Sequence, residues 1–551
     1  MSQQRPSHPP EPVVDLSASR SAWRLVPAER SSLVLPELSA LDRDQREIAE
    51  LAGGCGPQLV LGAPGTGRTT ALLSLAARRL REGLPADRLL VLTPSRAAAA
   101  RARDTLTATA ATTMTSPPVR AWQAYAFDLL RRAQAEGLLP GVEQPPQLLS
   151  GPEQDVLLKE LMAGHRSGHG AAVVWPPDLS EAVGTRGFRQ EVRDLFDRVC
   201  EHGLSPEDLE QLGHQMQRPD WIAASVLRRE YLRVRRLRMP EAFDPAALVS
   251  EACRVLVEHP DFLHREQQRL ELVVIDDLQE ATPSIHRLLE VLCRGRDVVI
   301  AASPDTVVQG FRGARPDLLR GLDDRLGTPQ RPLTRRVLGT GHRMPPAIQL
   351  AWQRAAQRIP ALETALGARR PRPVPPGGDP EAEELPQAVL LGSAAQEARW
   401  IGHSILERHL LQGVALQDIA VIVRSSDRLQ SLQRHLTALG VPVTTSAAET
   451  PVRDESAVRP LLSALRLIVA ERSAAQHDQE LEREQPDPES LRSDAPEAPR
   501  ASETGEGTAQ SSAVLEAHEA VELLSSRIGG ASAMDLRRPV SYTHLTLPTK
   551  A

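Results

Sequence analysis

A glycine-rich stretch near the start of the chain carries the clearest chemistry. Residues 62–70 read GAPGTGRTT and match the phosphate-loop pattern G-x-x-x-x-G-K-[ST], except that Arg68 stands where lysine is expected. Glycines at this spacing let backbone N–H groups turn towards phosphate oxygens, and a following helix N-terminus favours negative charge. The predicted nucleotide-phosphate site consists of Gly62, Ala63, Pro64, Gly65, Thr66, Gly67, Arg68, Thr69 and Thr70.

Two side chains of this loop have separate predicted roles. Thr69 offers its hydroxyl to Mg²⁺. Arg68 can pair with phosphate, but its guanidinium is planar and larger than the compact ammonium of lysine. The sequence therefore predicts nucleotide binding more strongly than fast hydrolysis. The alternative is a glycine-rich turn between a strand and a helix that binds no ligand.

A pair of carboxylates supplies the second half of such a site. In residues 273–280 (VVIDDLQE), Asp276 closes an apolar run and Asp277 follows it. We expect Asp276 to coordinate Mg²⁺ and Asp277 to orient or deprotonate an attacking water. The alternative is a strand capped by two solvated acids.

Short apolar runs bounded by turn residues predict the strands that position these groups. They lie at residues 58–61, 88–93, 272–276 and 297–303 and alternate with helical patterns, which indicates a parallel, doubly wound α/β sheet. Residues 126–250 show only amphipathic helical patterns, such as the one at 188–204. A Pro/Gly-rich stretch at 369–386 marks a boundary, and strands predicted at 388–391, 418–425 and 441–445 form a second α/β unit.

Composition limits the class of protein. The net charge of −6 argues against a general polyanion binder. It does not argue against a motor that holds one nucleic-acid strand in a groove, because only the local charge matters there. The four cysteines contain no C-x-x-C pair, so we expect neither a disulfide framework nor a zinc site. Without a long apolar run or an apolar signal core, the chain is expected to be cytoplasmic.

Together with the phosphate loop, several further stretches make the chain resemble the UvrD/Rep/PcrA-like superfamily 1 DNA helicases. In the order of that family's motifs they are residues 41–49 (LDRDQREIA), 92–106 (LTPSRAAAARARDTL), 119–131 (VRAWQAYAFDLLR), 273–280, 302–316 (ASPDTVVQGFRGARP) and 340–348 (TGHRMPPAI). Order and spacing agree over roughly residues 41–470. The resemblance implies a P-loop NTPase with two RecA-like parallel-sheet domains, a mainly helical insertion in the first, and an incomplete second domain.

Composition and the resemblance together predict the domain boundaries. They are 1–35 for a flexible N-terminal segment, 36–125 and 245–345 for the first RecA-like domain, 126–244 for the helical insertion, 346–470 for the second domain, 471–516 for an acidic flexible segment, 517–538 for the start of a 2B-like region, and 539–551 for an artefactual tail. Because nothing after residue 538 resembles motifs V and VI, we expect a truncated N-terminal part of the motor.

ATP and Mg²⁺ are the cofactors that the resemblance implies, with single-stranded or tailed duplex DNA as the partner and a nucleoid-associated location in the cytoplasm. Gln45 takes the position that reads adenine, and Arg343 the position that reaches the γ-phosphate across the domain cleft. The implied DNA contacts are Thr93, Ser95, Arg96, Trp122, Phe311 and Arg312. For Trp122 and its helical neighbour Tyr125, core packing is an equal alternative to base stacking.

Several positions depart from the family pattern, and all lie near the expected hydrolytic centre. Arg68 replaces a lysine, Asp277 a glutamate, and Ser303 and Thr306 replace an aspartate and a glutamine. Within the family, the loop GAPGTG, the Asp-Asp form of residues 276–277 and residues 522–538 (ELLSSRIGGASAMDLRR) most resemble the AdnA-type subunit of the actinobacterial AdnA/AdnB helicase–nuclease. This finer resemblance implies that the partner is a paralogous helicase–nuclease subunit.

Three functions therefore stay open. The first is an ATP-dependent 3′–5′ DNA helicase or translocase in DNA repair or recombination. The second is a subunit that binds nucleotide and DNA but hydrolyses ATP weakly. The third is an unrelated P-loop phosphotransferase.

Overall fold

The computed structural model describes residues 34–110, 118–360, 367–373, 386–444, 460–465 and 468. The chain forms two compact units, Met1–Gln387 and Ala388–Ala551. Their division directly follows the Pro/Gly-rich stretch, while the domain boundaries given above remain predictions. Residues 1–33 of the predicted N-terminal segment, the two segments at 471–516 and 517–538, and the tail at 539–551 lie outside the described residues.

The strands of the described residues are β1 (Pro57–Gly62), β2 (Leu89–Thr93), β3 (Val119–Ala121), β4 (Gln147–Leu148), β5 (Ala242–Phe243), β6 (Leu272–Ile275), β7 (Val298–Ala302), β8 (Thr334–Leu338), β9 (Thr340–Gly341) and β10 (Arg372–Pro373). The helices bounded within the described residues are α1 (Arg43–Ala49), α2 (Arg68–Arg81), α3 (Arg96–Ala110), α4 (Trp122–Ala135), α5 (Gly151–Arg166), α6 (Arg186–Glu201), α7 (Pro206–Gln215), α8 (Pro219–Arg238), α9 (Pro245–Glu258), α10 (Pro260–Arg269), α11 (Pro283–Cys293), α12 (Leu322–Leu326), α13 (Pro346–Ala356), α14 (Ala394–Gln412) and α15 (Ser426–Ala438).

Six strands of the first unit form one parallel sheet in the order β3-β2-β6-β7-β1-β8. The predicted α/β class and the four predicted strands β1, β2, β6 and β7 are confirmed. All residues of these four strands are buried, as expected for a parallel sheet covered on both faces.

Alternate side chains of these strands enter two separate cores. In β1, Leu59 and Leu61 pack with α4, α9 and α11, whereas Val60 packs with α2 and α3 on the opposite face. This two-residue alternation fixes the register of each strand, because a slip by one residue would exchange the two faces. The sheet is therefore a rigid base for the loops that follow its strands.

The helical segment between β3 and β6 has its own core. Side chains of α5, α6, α7 and α8 form it around Leu158, Phe196 and Leu227. The amphipathic pattern predicted at 188–204 is α6, which begins after the N-cap Thr185. Helix α4 instead packs against the sheet, and the two-residue strands β4 and β5 pair within the stretch that was predicted to contain only helices.

The second unit differs from its prediction. Helices α14 and α15 pack through a small core around Ile405, Leu432 and Leu436. No strand occurs in its described residues, 388–444, 460–465 and 468, although strands were predicted at 388–391, 418–425 and 441–445. An apolar pattern gives a segment a face to bury, but a β-strand also needs a neighbouring strand for its backbone hydrogen bonds. In the predicted strands of the second unit, Leu390 and Ile422 are almost fully exposed.

Across the described residues, no helix combines the length and apolar character that a membrane span needs.

Candidate functional site

The loop between β1 and α2 forms a tight turn at the N-terminus of α2. Gly65 and Gly67 both have φ of 79°, a left-handed conformation that glycine adopts without steric cost. A Cβ atom on Gly67 would lie 2.2 Å from Nε2 of Gln45. Within the loop, the Thr66 hydroxyl donates to the Ala63 carbonyl at 2.8 Å. The loop thus has the backbone turn that the predicted phosphate site requires.

Other members of the predicted phosphate site lie along the same turn. Gly62 is the last residue of β1, and Pro64 lies in the loop. Thr70 lies in the first turn of α2. The strand-to-helix context on which the sequence prediction depended is therefore present.

Thr69 and Asp276 meet at the carboxyl edge of the sheet. The Thr69 hydroxyl donates to Oδ2 of Asp276 at 2.6 Å, although β7 lies between the strands β1 and β6 that precede them. Burial, followed by repulsion from Asp277, raises the pKa of Asp276 to about 6. Hydroxyl and carboxylate oxygens suit Mg²⁺, and a cation here would offset the burial of the charge, so the pair fits the predicted metal site.

Arg68 lies across the phosphate loop instead of projecting from it. Its Nη1 donates to the carbonyls of Gly62 at 2.6 Å and Ala63 at 3.0 Å, and its Nη2 donates to Oδ1 of Asp277 at 3.1 Å. The Arg68 side chain is 13% exposed. A phosphate that pairs with this guanidinium must therefore compete with bonds inside the protein.

Asp277 is held in a strained position. Its φ of 53° is left-handed, which is uncommon outside glycine and persists only where the surrounding structure enforces it. Its Oδ1 accepts from Arg68 and also from Nε2 of Gln279 at 2.9 Å. The carboxylate predicted to orient water is thus already paired with two donors.

Gln45, which the resemblance assigns to adenine recognition, lies beside the phosphate loop. Its Nε2 donates to the Thr66 carbonyl at 3.0 Å, and its Oε1 accepts from the backbone N–H of Asp42 at 3.3 Å. Since both ends of the amide are bonded within the protein, contact with adenine requires that at least one bond change. The adenine role stays a prediction.

Arg343 belongs to the first unit and lies next to the phosphate loop. The backbone N–H of the preceding His342 donates to the Gly65 carbonyl at 2.9 Å. The Arg343 Cβ would lie 3.1 Å from a Cβ placed on Gly65. Its approach to the loop is therefore within one compact unit, whereas the resemblance implied an approach across a domain cleft. Contact with the γ-phosphate remains a prediction.

A cavity of 510 Å³ brings together four of the six predicted DNA contacts, which are Ser95, Trp122, Phe311 and Arg312. Phe311 is 77% exposed, and the Arg312 guanidinium lies 5.2 Å from its ring centre. An exposed aromatic ring beside a cation is suited to stack on a base next to a phosphate.

The remaining predicted contacts lie differently. Thr93 is buried at the end of β2 and donates to the Ser95 carbonyl at 3.2 Å, while Arg96 is exposed at the start of α3. Trp122 and Tyr125 are both only 2% exposed within the sheet core. For these two rings the structure favours the core-packing alternative, and only part of Trp122 lines the cavity.

Comparison with known proteins assigns the family. Residues 41–326 match the UvrD/REP helicase N-terminal domain. The chain belongs to this family. This excludes the unrelated P-loop phosphotransferase as an explanation of the phosphate loop.

Relatives within the UvrD family are distant. The chain is 22% identical over 408 residues to DNA helicase II of Haemophilus influenzae, with 74% of this chain and 51% of that protein covered. It is 23% identical over 421 residues to ATP-dependent DNA helicase UvrD1 of Mycobacterium tuberculosis, with 74% and 49% covered. It is also 25% identical over 143 residues to an ATP-dependent helicase/nuclease subunit of Lactococcus lactis, with 25% and 11% covered. The chain spans about half the length of the first two relatives.

Acidic side chains from α6 also line the 510 Å³ cavity in this UvrD-family chain. Burial, followed by repulsion from Asp244, raises the pKa of Asp197 to about 6. Burial raises the pKa of Glu201 to about 7, although the nearby Arg198 opposes this shift. Because the raised pKa values leave both carboxyls partly protonated near neutral pH, this part of the cavity can donate as well as accept hydrogen bonds, which suits bases better than phosphates.

Two residues that the sequence analysis did not assign connect the nucleotide and cavity sides. Gln279 and Glu280 follow the paired carboxylates after Leu278, and both are buried. Gln279 bonds Asp277, whereas Glu280 bonds the loop that carries Phe311. The letters VVIDDLQE contained both residues, but their partners in the loop after β7 lie 24 to 29 residues further along the chain and depend on how that loop folds back.

Proposed function

We propose that this chain provides the nucleotide site and part of the DNA groove of an ATP-dependent DNA helicase or translocase. The observation that carries the proposal is the pairing of Thr69 with Asp276 at the sheet edge, beside a phosphate loop with left-handed glycines. Mg²⁺ held by this pair would neutralise phosphate charge when ATP binds. The cavity with Phe311 and Arg312 then offers a place for single-stranded or tailed duplex DNA.

Polarity and setting rest on family resemblance. We propose 3′-to-5′ movement and a role in DNA repair or recombination, because the helicases whose motif order this chain shares act in that way. In this proposal, Gln45 and Arg343 complete the nucleotide site from two sides of the phosphate loop. The chain's own groups bind and orient ATP, and the position of Asp277 decides how well water is aimed at it.

A second candidate is a subunit that binds nucleotide and DNA but hydrolyses ATP weakly. The bonds from Arg68 to Gly62, Ala63 and Asp277 favour it, because they occupy the groups that a phosphate and a water would use. A paralogous helicase–nuclease subunit would then supply most of the turnover, as in an AdnA/AdnB-type pair. The similarity to the helicase/nuclease subunit of Lactococcus lactis supports such a partner.

Binding measurements test the shared part of both candidates. We expect the chain to bind a fluorescent ATP analogue with Mg²⁺ and to bind a labelled oligo(dT) strand. Asp276→Ala should abolish the Mg²⁺-dependent part of nucleotide binding, whereas Asp178→Ala, at an exposed position of the helical segment, should not. Nucleotide binding that is unaffected by Asp276→Ala would refute the assigned site.

A further inference from the structure

Gln279 connects the nucleotide side of the site to the loop after β7. Its Nε2 donates to Oδ1 of Asp277, the oxygen that also accepts from Arg68. Its Oε1 accepts from the backbone N–H of Ser303, the first residue after β7, at 2.9 Å. One buried amide thus bonds the catalytic carboxylate at one end and the start of the next loop at the other.

The next two residues hold the same loop at further points. The Glu280 carboxylate accepts from the backbone N–H groups of Val308 at 3.0 Å and Gln309 at 2.9 Å. The Ala281 carbonyl accepts from the backbone N–H of Arg315 at 3.0 Å. Residues 279–281, which we name the coupling segment, therefore hold the loop at its start, middle and end.

The loop held in this way carries the exposed groups of the DNA cavity. Phe311 and Arg312 lie between the points bonded by Glu280 and Ala281. Thr306, where the family pattern has a glutamine that links γ-phosphate to DNA, uses its hydroxyl within its own turn and donates to the Ser303 carbonyl at 3.0 Å. Within the described residues, a hydrogen-bonded path from Asp277 to Ser303 at the start of this loop runs through Gln279.

We propose that Gln279 is a positioning residue that transmits the nucleotide state to the DNA-binding loop through the coupling segment. The proposal rests on the proposed nucleotide and DNA sites. When phosphate draws Arg68 away from Asp277, the remaining bond from Gln279 moves with the carboxylate. Because Gln279 also bonds Ser303, and because Glu280 and Ala281 hold the rest of the loop, Phe311 and Arg312 shift as well.

Burial gives this connection its strength. Gln279 is 2% exposed and Glu280 is 8% exposed. Hydrogen bonds in such surroundings are stronger than in water, and buried groups that lose a partner cannot turn to solvent instead. The coupling segment is therefore bonded to Asp277 on one side and to the loop after β7 on the other. Energetic coupling between two ligand sites requires a continuous set of contacts of this kind.

The test is a thermodynamic cycle on the whole chain. The dissociation constant of labelled oligo(dT) is measured without nucleotide and with a saturating non-hydrolysable ATP analogue and Mg²⁺. We expect the nucleotide to change this constant by about fivefold or more in the unaltered chain, the lower end of usual coupling between sites. In Gln279→Glu the change should fall below about twofold, because the new carboxylate keeps an acceptor for Ser303 but repels Asp277.

Two further variants separate coupling from folding. Gln279→Met keeps the length of the side chain, removes both bonds, and should also lose the nucleotide effect. Gln268→Glu makes the same chemical change at an exposed position of α10 and should keep it. Thermal unfolding of each variant shows that it is folded. A merely structural role for Gln279 would weaken DNA binding equally with and without nucleotide.

The outcomes distinguish this inference from the proposed function. If both Gln279 variants are folded and retain the full nucleotide effect, the inference is overturned and the binding sites stand. If the unaltered chain binds both ligands with no effect of one on the other, the inference is again overturned. If it binds neither ligand, the proposed function fails as well.

Discussion

Replacing Arg68 by lysine should strengthen ATP binding. The guanidinium makes three hydrogen bonds across the loop, two to carbonyls of the β1 terminus and one to Asp277. ATP phosphate can pair with Arg68 only after some of these bonds are released. Lysine has no planar fork to make them simultaneously, and its compact charge suits the space beneath the phosphates.

The size of the effect follows from these contacts. A hydrogen bond that involves a charged group contributes about 1.5–3 kcal/mol when buried, and an exposed ion pair much less. Since the Asp277 side chain is 34% exposed, its bond to Arg68 is discounted accordingly. Because both carbonyl bonds come from the single Nη1 atom, we count them as about one such bond, and we assign about 2–3 kcal/mol to the three bonds together. Recovering about 1–2 kcal/mol of this in Arg68→Lys corresponds to roughly 5- to 30-fold tighter ATP binding.

Titration with a fluorescent ATP analogue in the presence of Mg²⁺ measures this change. Arg331→Lys is the matched control, because Arg331 is 46% exposed and pairs with Asp297 away from the phosphate loop. Turnover should rise in Arg68→Lys together with affinity. A folded Arg68→Lys variant that binds ATP no more tightly than the unaltered chain would show that the Arg68 bonds do not oppose phosphate.

Three further predictions concern stability and DNA binding. Gly67→Ala should destabilise the fold by about 1–2 kcal/mol and abolish ATP binding, since φ is 79° and Gln45 lies 2.2 Å from the new Cβ; an unchanged melting temperature would contradict this. Phe311→Ala should weaken oligo(dT) binding by about 1–3 kcal/mol without changing the melting temperature, whereas Trp122→Ala should destabilise by about 3–5 kcal/mol; the reverse pattern would exchange their roles. Folding raises the pKa of Glu201 from 4.5 to about 7. The protonated carboxyl therefore makes its full contribution to stability below about pH 4.5, and this contribution is lost as the pH rises through about 7. Glu201→Gln should therefore stabilise by about 1–3 kcal/mol at pH 8, with no gain near pH 4 in calorimetry.

Much of the first unit could be predicted because its strands are continuous apolar runs. β1, β2, β6 and β7 are buried on both faces, and that burial leaves a clear pattern in the sequence. β3 has three residues, and β8 is a mostly exposed edge strand with two arginines, so neither shows such a run. The strands expected in the second unit had the apolar pattern but have no bonded neighbour in its described residues.

The candidate site divides in the same way. Local spacing along the chain sufficed to find the phosphate loop, and the paired Asp276 and Asp277 followed from a strand end. The bonds of Arg68 and the roles of Gln279 and Glu280 depend on segments that meet only in the folded chain. For Trp122, helical spacing in the sequence was compatible with both core packing and base stacking. Its burial in the structure favours core packing.

Measuring ATP hydrolysis with and without single-stranded DNA shows whether Thr69 and Asp276 belong to a DNA-dependent motor site. We expect slow turnover that DNA stimulates. Asp276→Ala should remove this turnover, and Asp178→Ala, at an exposed position, should retain it. Turnover that is independent of DNA, or that is retained in Asp276→Ala, would contradict a DNA-dependent motor site at Thr69 and Asp276. Absence of turnover with both ligands still bound would contradict the motor proposal and favour the weakly hydrolysing subunit.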